Sequence, residues 1–435
     1  MLGLSLKYHH DKTNELLENL RWIQEKRRKY WKLSLHCTDY LVPKTLSNGP
    51  LFTDESKLYW HAFATNEKRD QLYYRRLNYA LKATLSKATV KDSNLKYVLL
   101  SERLIDVKRF DLIDRKNFIR KIMQFLRKQQ ELEVVCLEGL QVSKIEGFDI
   151  LTSLSSSSFY VRFLYIWRFF QKNEYSIPRE SDGLYKFDPY FWLNAIGNFR
   201  FLETISVNYS CVASDSGHVI LQLANVLGPN WKWLQLLCQE DEIPDTFNER
   251  GEKNSVTIPD DTWIEVRKYS PKLKVQIFMI GIPHYDQHKK FLTANILVET
   301  FSLATNLQFV YDKPCFIDCT LKTIYLWYHR TLVQLHINLW NHREFIDAHL
   351  RLIFARLPNL KFFEYIGQVQ DFVTILTMCC QIKYGVTRPE LVHLQIPKPA
   401  DKENHWLSKI HCYLNSLKED FEKLEVKFVV DLYPF

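Results

Sequence analysis

The amino-acid sequence predicts an α/β fold in which strand, loop and helix repeat along the chain as a solenoid. The first observation is a short motif of the length of a β-strand. In this motif an apolar residue is followed after two residues by a second apolar residue, and after one more residue by a third. It recurs at intervals of 28 to 41 residues where neighbouring copies are clear. The copies are Leu132, Val135 and Leu137; Val161, Leu164 and Ile166; Leu202, Ile205 and Val207; Leu332, Leu335 and Ile337; Leu360, Phe363 and Tyr365; and Leu391, Leu394 and Ile396. The shorter intervals are close to the length of a leucine-rich repeat.

The second observation is a helical periodicity between the strands. Ile346, Leu350, Ile353 and Leu357 are spaced 4, 3 and 4 residues apart before Pro358, which is the spacing of one apolar helix face. Similar spacing predicts helices within residues 118–125, 220–227 and 407–417. Each repeat is therefore expected to contain one strand and one helix.

A single strand-helix unit cannot cover its own apolar faces, so the units must stack on one another. We therefore expect a leucine-rich-repeat-like solenoid, with a curved parallel β-sheet and helices on the convex side, over residues 93–435. Less regular apolar runs predict further strands within residues 95–101, 233–240, 273–281, 307–312 and 424–431.

The charge distribution separates the N-terminal fifth of the chain from the repeats. Residues 1–91 contain 17 Lys and Arg against 9 Asp and Glu, whereas the rest of the chain has 41 of each. The sequence thus predicts that residues 37–92 form a basic, aromatic-rich helical region that leads into the solenoid. The excess positive charge suggests an acidic partner surface.

Residues 57–91 interleave eight basic residues with six aromatic ones. Such a mixture can stack on and neutralise single-stranded nucleic acid, so an RNA-binding module is one alternative function. However, Tyr73, Leu77, Leu81 and Leu85 are spaced by four, which places apolar side chains on one helix face toward a core. We favour core packing and do not expect nucleic acid as a partner.

The chain shows no export or membrane signal. It has no run of about 18 apolar residues to span a bilayer, and its first ten residues lack the pattern of a signal peptide. Its nine cysteines have no paired spacing, which favours reduced thiols. We expect a soluble, intracellular protein, cytoplasmic or nuclear, without a membrane partner.

No motif of a known catalytic site occurs. The sequence lacks a Gly-rich phosphate loop, a His-Glu-x-x-His motif and a Gly-x-Ser-x-Gly motif, so we expect no enzyme activity and no cofactor. His284 and His288 stand four apart without further ligands nearby, which favours surface histidines over a metal site. The clustered cysteines are expected to be buried packing residues: Cys315, Cys319, Cys379 and Cys380.

The side chains between the apolar anchors point away from the helices and are expected to line the concave face, where repeat proteins bind ligands. The predicted substrate-binding residues are Glu138, Trp167, Asn208, His336, Trp340 and Gln395. Other predicted outward residues are Cys136, Tyr165, Ser206, Asn338, Glu364 and His393. Exposed tryptophans are favoured interface anchors, although a neighbouring loop that covers Trp167 or Trp340 remains an alternative.

Four runs carry a family resemblance: residues 118–154, 201–241, 271–303 and 332–376, which include LETISVNYSCVASD and LPNLKFFEYIG. They resemble F-box proteins whose substrate-binding part is a leucine-rich-repeat-like solenoid. The resemblance implies a substrate receptor of a Skp-cullin-F-box ubiquitin ligase. In such a receptor the F-box binds the Skp adaptor and the repeats hold a protein substrate.

The F-box part of the resemblance is incomplete. The first 30 residues lack the Leu-Pro signal that opens an F-box. The resemblance therefore implies an incomplete F-box-like helical segment at residues 1–36, which matches only the second half of an F-box and has residues 31–35 as its closing turn. The resemblance implies adaptor-binding positions at Leu16, Leu17, Leu20, Trp22 and Trp31. Three explanations stay open: a truncated gene model, a divergent F-box, or a relative that kept the repeats and lost the adaptor contact.

The first functional hypothesis is therefore a non-catalytic substrate-recognition subunit with a Skp adaptor, a cullin and an unidentified protein substrate as partners. It would act by holding the substrate near the ubiquitin-charged enzyme. The alternative from another class is a leucine-rich-repeat interaction scaffold without a ligase role.

Overall fold

The fold is described from a computed structural model. The structure describes residues 32–35, 95–100, 112–170, 192–213, 217–239, 257–282, 284–305, 315–339, 344–385, 387–397 and 404–433. The chain divides into two compact units, residues 1–205 and 206–435. In the described part of each unit, helices alternate with strands that pair in parallel, which confirms the predicted α/β class.

The first unit contains parallel strands that follow one another in chain order. Its described strands are β1 (Lys32–Leu35), β2 (Tyr97–Leu100), β3 (Val134–Cys136) and β4 (Phe163–Tyr165). Each pairs in parallel with the next. Its described helices are α1 (Leu112–Leu126), α2 (Lys144–Ser155) and α3 (Leu193–Ile196). Strand β5 (Thr204–Asn208) lies at the division between the units.

The second unit repeats this plan with longer strands. Its described strands are β6 (Trp233–Gln239), β7 (Lys274–Ile280), β8 (Val298–Ala304), β9 (Gln334–Asn338), β10 (Phe362–Ile366), β11 (Leu391–Pro397) and β12 (Lys427–Tyr433). Neighbouring strands among these seven form six parallel pairs, from β6 with β7 to β11 with β12. Its described helices are α4 (Tyr209–Ala213), α5 (His218–Leu227), α6 (Asp260–Tyr269), α7 (Tyr285–His288), α8 (Ile317–Trp327), α9 (Asp347–Arg356), α10 (Phe372–Lys383), α11 (Asn404–Ser416) and α12 (Lys418–Lys423).

The apolar anchors of the second unit lie on the face of the sheet that the helices cover, which we call the helix-covered face. Leu335 and Ile337 of β9 are buried, as is Phe363 of β10. The Phe363 ring meets the Phe354 ring of α9 edge to face, with the centroids 5.5 Å apart. The predicted direction of these side chains is therefore confirmed, and the opposite face of the sheet, the open face, carries the residues between them.

One predicted anchor lies on the wrong face. Leu391 pairs with Phe362, one position before Phe363, so it belongs to the open face and is only half-buried. The buried residues in the anchor positions of this repeat are Pro389, Val392 and Leu394. The spacing of Leu391, Leu394 and Ile396 matches the motif although Leu391 is not an anchor, because the open face also carries some apolar side chains.

Strand β8 was missed by the sequence analysis, although Val298, Phe301 and Leu303 have the same spacing as the other anchors. All three side chains are buried, and Phe301 pairs with Leu335 of β9. The strand expected within residues 307–312 lies outside the described residues.

The N-terminal prediction is corrected at one point. Residues 32–35 form strand β1, which pairs in parallel with β2, rather than the closing turn of an F-box. A repeating chain can use an apolar alternation such as Leu33 and Leu35 as a strand, because strand side chains alternate between two faces. The rest of residues 1–36 and the region 37–92 lie outside the described residues.

Buried carboxylates connect successive repeats of the second unit. Asp347, at the start of α9, accepts hydrogen bonds from the backbone N–H groups of Gln370 and Asp371, both 3.1 Å long, and from the Thr374 hydroxyl at 3.0 Å. These donors surround the start of α10, where backbone N–H groups lack helical partners. Asp347 thus stabilises the next helix of the solenoid.

Two other acidic side chains of the second unit make comparable contacts. The Glu344 carboxylate accepts from the backbone N–H groups of Cys315, Phe316 and Ile317 at the start of α8. Asp260, at the start of α6, accepts from the Asn295 backbone N–H at 2.7 Å. Each contact joins segments from neighbouring repeats, so the polar contacts on the helix side help to set the stacking of the units.

The first unit contains an ion pair between its first two described helices. Arg115 of α1 donates to Glu146 of α2, with Nη2 2.7 Å from Oε2, and the Arg115 side chain is almost fully buried. Glu146 also accepts from the Ser143 backbone N–H at 2.9 Å, and Ser143 caps α2 in return. Burial alone would raise the pKa of Glu146, but the hydrogen bonds from Arg115 and Ser143 hold it below its ordinary value.

Candidate functional site

An accessible part of the open face lies on β9 to β12. Along β9, β10 and β11 buried residues alternate with half-buried ones, and the half-buried residues all point to the open face. This is the pattern of a sheet with one packed and one solvated face. Side chains on this part of the sheet can therefore contact a partner.

Farther along the open face, toward β6 and β7, the side chains are more deeply buried. Leu237 of β6 and Phe278 of β7 face the same side as His336 but are buried. The neighbouring position carries polar contacts, in which Gln235 Nε2 donates to Gln276 Oε1 at 2.9 Å and the Ser206 hydroxyl contacts Gln235. Buried side chains thus interrupt the open face at Leu237 and Phe278, while Gln235, Gln276 and Ser302 on the same face remain half-buried.

Three ionisable residues lie directly side by side at the centre of this surface. The parallel register places His336 of β9 opposite Glu364 of β10, and Glu364 opposite His393 of β11. Asp431 of β12 lies opposite Gln395, two residues beyond His393 on the same face. We call His336, Glu364, His393 and Asp431 the acid-histidine row.

The side chains of the acid-histidine row contact one another in sequence. His336 Nδ1 lies 3.3 Å from Glu364 Oε2, and His393 Nδ1 lies 3.4 Å from Glu364 Oε1. His393 Nε2 lies 2.8 Å from Asp431 Oδ2. The exposed fractions of the four side chains are 18%, 28%, 19% and 58%, so the row is reachable from solvent and opens most at Asp431.

His393 faces a carboxylate through each of its ring nitrogens. A carboxylate accepts hydrogen bonds but does not donate them, and a neutral imidazole has only one N–H group. A proton on Nε2 makes the 2.8 Å contact with Asp431 a hydrogen bond, whereas a proton on Nδ1 is directed toward Glu364.

Apolar side chains flank the acid-histidine row on both sides along the strands. Phe362 and Leu391 form a neighbouring pair on one side, and Ile366 lies on the other side. All three are half-buried on the open face. The combination of a charged centre with partly exposed apolar neighbours is suited to binding a protein segment.

Two of the predicted substrate-binding residues belong to this surface. His336 is part of the acid-histidine row, and Gln395 lies beside His393, with Gln395 Nε2 3.4 Å from His393 Nε2. Glu364, His393 and Asn338 also have the predicted outward direction and are half-buried. The structure thus brings together the residues that the sequence assigned to the outward positions of three consecutive strands.

The other described candidates lie outside strands β9 to β12. Trp167 is 2% exposed and lies in the turn after β4, and Asn208 is 5% exposed at the end of β5. The expectation that these two side chains are exposed on the sheet face is wrong, and the alternative that Trp167 is covered holds. Cys136 and Ser206 are also buried, whereas Glu138 is half-buried in the turn after β3.

Several candidates lie outside the described residues. These are Trp340, the predicted adaptor-binding residues Leu16, Leu17, Leu20, Trp22 and Trp31, and the basic stretch 57–91.

Asp431 was not recognised from the sequence as a functional residue. It ends the strand that was predicted within residues 424–431, and its position opposite Gln395 follows once the register between β11 and β12 is known. Extending the outward positions by one more strand would have found it. The irregular start of the last repeat, where Glu425 has a φ of 57°, hid that register.

His288 differs from its prediction as a surface histidine because it is buried. Its Nε2 lies 2.9 Å from the Ile282 carbonyl oxygen, and its Nδ1 lies 2.7 Å from the Thr320 hydroxyl. Since a carbonyl oxygen only accepts, Nε2 carries the proton and Nδ1 accepts from Thr320. Both nitrogens are used, so His288 is a structural residue of the helix side.

The prediction that the clustered cysteines are buried is confirmed for two of the four. Cys315 and Cys379 are buried thiols, whereas Cys319 and Cys380 are half-buried. Burial raises the pKa of Cys315 to about 11, with a further contribution from Glu344, and burial raises the pKa of Cys379 to about 12. The thiolate, which is the nucleophile and metal ligand, is therefore disfavoured at both positions.

Among the residues that the structure describes, no group of three or more His, Cys, Asp or Glu side chains has an arrangement that could hold a metal ion. None of the described helices combines the length and the apolar character needed to cross a lipid bilayer.

The fold and the site define the chain as an α/β repeat protein with a partly exposed, ionisable sheet surface. No protein-family model matches the sequence, and no curated protein has a significantly similar sequence.

Proposed function

We propose that the chain is a non-catalytic protein-recognition subunit that binds a protein substrate on the open face of β9 to β12. The observation that carries this proposal is the surface itself, where the acid-histidine row extends over four consecutive parallel strands and is flanked by the half-buried apolar side chains of Phe362, Leu391 and Ile366. Polar groups at its centre favour selectivity, and the apolar neighbours supply contact area.

We further propose that the repeats are leucine-rich-repeat-like and form a curved solenoid. Strands β9, β10 and β11 begin at Gln334, Phe362 and Leu391, so successive strands start 28 and 29 residues apart. They stack in register, with anchors buried on one side only. Units of this length that contain one strand and one helix are typical of leucine-rich repeats.

The resemblance to F-box proteins supports a more specific role as the substrate receptor of a Skp-cullin-F-box ubiquitin ligase. In that role the N-terminal positions Leu16, Leu17, Leu20, Trp22 and Trp31 contact the Skp adaptor. The receptor accelerates ubiquitin transfer through proximity, since it holds the substrate near the charged enzyme and supplies no acid, base or nucleophile.

The ligase role is tested by co-purification of the full chain with the Skp adaptor. We expect a complex that survives gel filtration at about 1 µM, which corresponds to a binding free energy of about 8 kcal/mol. The substitutions Leu16→Asp, Leu17→Asp and Leu20→Asp, made together, should abolish it because they place charges in an apolar contact. The matched control, Glu15→Gln with Glu18→Gln, changes the intervening polar residues and should retain the adaptor.

Failure of the unmodified chain to retain the adaptor would reject the ligase role and leave the interaction scaffold as the function. Equal retention by the triple aspartate variant would reject these leucines as the adaptor contact.

A further inference from the structure

Four uncharged polar side chains lie next to one another on the open face of β7, β8 and β9. The parallel register places Gln276 of β7 opposite Thr300 of β8, and Thr300 opposite Gln334 of β9. Ser302 lies two residues beyond Thr300 on the same face, because strand side chains alternate between the two faces. We call Gln276, Thr300, Ser302 and Gln334 the amide-hydroxyl patch.

The hydroxyl at the centre of this patch is buried without a partner. Thr300 is 1% exposed, and its Oγ1 makes no hydrogen bond to any part of the chain that the structure describes. Buried polar atoms are normally paired, because an unpaired one loses its hydration without compensation. Valine has nearly the same shape as threonine and would avoid this cost, so packing alone does not account for a threonine at this position.

The side chains around Thr300 also have unused hydrogen-bonding groups. Gln276 accepts from Gln235 through Oε1, but its Nε2 has no hydrogen bond within the described residues. The Ser302 hydroxyl and the Gln334 side-chain amide likewise make none with the described part of the chain. Gln276, Ser302 and Gln334 are half-buried, so these groups are reachable from solvent. The patch thus offers several donors and acceptors in one place.

A second unpaired atom lies at the edge of the patch. His336 of β9 lies opposite Ser302, and its Nε2 is buried and has no hydrogen bond among the described residues. The other ring nitrogen, Nδ1, contacts Glu364 of the acid-histidine row at 3.3 Å. Thr300 and His336 are thus two positions in one continuous area of the open face at which a buried polar atom lacks a partner.

We propose that the amide-hydroxyl patch binds the carboxamide side chain of an asparagine or glutamine in an extended segment of a protein partner. This inference rests on the proposed use of the open face for protein binding, extends that surface to β7 and β8, and adds the chemistry of the partner. The ligand carboxamide exchanges two hydrogen bonds with the Gln334 amide, in which each carbonyl oxygen accepts from the other NH2 group. The remaining lone pair and N–H of the ligand are available to Gln276 Nε2 and to the hydroxyls of Thr300 and Ser302.

An uncharged ligand group that both donates and accepts fits this patch best. A carboxylate offers only acceptors and a lysine ammonium offers only donors, whereas the patch presents both. A charged group would also lose hydration without gaining an opposite charge from the side chains of the patch. A leucine of similar shape would cover the patch and leave its polar atoms unpaired.

The register also places an apolar contact at a defined distance from the patch. Phe362 lies opposite Gln334, Leu391 lies opposite Phe362, and both are half-buried on the open face. Since neighbouring strands are about 4.8 Å apart, the centre of the Phe362–Leu391 pair lies about 7 Å from Gln334. This is close to the distance between residues i and i+2 of an extended peptide, whose side chains point to the same side. The expected ligand therefore has an apolar residue two positions from its asparagine or glutamine.

The test uses an array of peptides with an apolar residue two positions from a central residue, which is asparagine, glutamine, aspartate, lysine or leucine. The full chain should bind the asparagine or the glutamine set at least about tenfold more tightly than the other three sets, because only a carboxamide satisfies both the donors and the acceptors of the patch. Equal binding of the leucine and carboxamide sets, preference for a charged set, or no binding of any set would overturn the inference.

The variant Thr300→Val separates a binding role from a structural one. Because the hydroxyl has no partner within the described chain, valine should leave the midpoint of urea unfolding unchanged or raise it. With the best carboxamide peptide, the same variant should raise the Kd about five- to tenfold. A lowered midpoint together with an unchanged Kd would show that Thr300 is a structural residue and would reject the site.

Thr320→Val is the matched control because it removes a buried hydroxyl that has a partner. Thr320 Oγ1 lies 2.7 Å from His288 Nδ1 on the helix side, so this variant should lower the urea midpoint and leave the peptide Kd of the folded chain unchanged. An equal rise in Kd for Thr320→Val and Thr300→Val would reject the patch as the contact.

If Thr300→Val fails to fold, Gln334→Met provides the test, since Gln334 is half-buried and methionine has a similar length without the amide. This variant should raise the Kd about tenfold, and an unchanged Kd would overturn the inference.

Adaptor co-purification on the same preparations separates the two proposals. Adaptor retention without selectivity for a carboxamide rejects only the inferred chemistry of the partner. Carboxamide selectivity without adaptor retention rejects only the ligase role.

Discussion

The two faces of strands β9 to β11 differ in chemistry although they are formed by alternating residues of the same segments. On the helix-covered face, Leu335, Phe363 and Leu394 are buried. They belong to three strands that pair with one another in order. On the open face, His336, Glu364 and His393 occupy the positions between them and remain accessible. A shift of one residue therefore separates the side chains that hold the repeats together from those available to a partner.

Polarity alone does not identify a functional residue in this protein. Asp347 and the Arg115–Glu146 pair are polar or charged, yet they lie on the helix side and join neighbouring repeats. The acid-histidine row makes contacts of similar length but lies on the face without helices. The face of the sheet, rather than the residue type, distinguishes structural from binding groups.

The largest expected effect comes from removing an anchor of the helix-covered face. Phe363→Ala should lower the free energy of unfolding by about 3 to 5 kcal/mol, because it deletes a buried ring that packs on Phe354. Phe362→Ala, one residue away on the open face, should cost about 1 kcal/mol or less. Urea unfolding of both variants measures the difference. Equal losses in the free energy of unfolding would show that the two faces contribute equally to stability.

An intermediate effect is expected from the ion pair in the first unit. Glu146→Gln should destabilise the chain by about 1.5 to 3 kcal/mol at neutral pH, since it weakens charge-assisted hydrogen bonds from Arg115 and Ser143. The folded state lowers the pKa of Glu146, so its contribution is present above the unfolded pKa and is lost as the pH falls through the folded pKa. The difference from the unmodified chain should therefore shrink in acid.

Urea unfolding at neutral pH and at about pH 3 measures this change. Glu131→Gln is the control because Glu131 is exposed, and it should have little effect at either pH. A stability difference for Glu146→Gln that stays constant between the two pH values would show that the ionised carboxylate is not the stabilising group.

The smallest effect on stability is expected at the centre of the open face. Glu364→Gln should change the free energy of unfolding by about 0.5 kcal/mol or less, because the side chain is partly solvated and glutamine keeps its shape. Thermal and urea unfolding provide the measurement. A loss above about 1.5 kcal/mol would instead mark the acid-histidine row as a structural network that holds the strands in register.

Much of the fold follows from local patterns, because a strand repeats every two residues and a helix every 3.6. The helices within residues 346–357 and 220–227 were predicted for this reason, and so were the outward directions of His336, Glu364 and His393. The same reasoning failed at Leu391, an apolar residue that lies on the open face. It also did not predict β8, although Val298, Phe301 and Leu303 have the spacing of the motif.

The sequence by itself determined the repeating strand and helix units, their parallel stacking and the alternation that assigns each side chain to one face. These properties follow from covalent geometry and the burial of apolar side chains, both of which act over short stretches of chain. Tertiary structure alone decided which outward residues stay accessible. It buried Trp167 and Asn208, left His336 and Gln395 reachable, and placed Asp431 beside His393. Accessibility and charge pairing depend on neighbours that are distant in the sequence, and no local pattern records them.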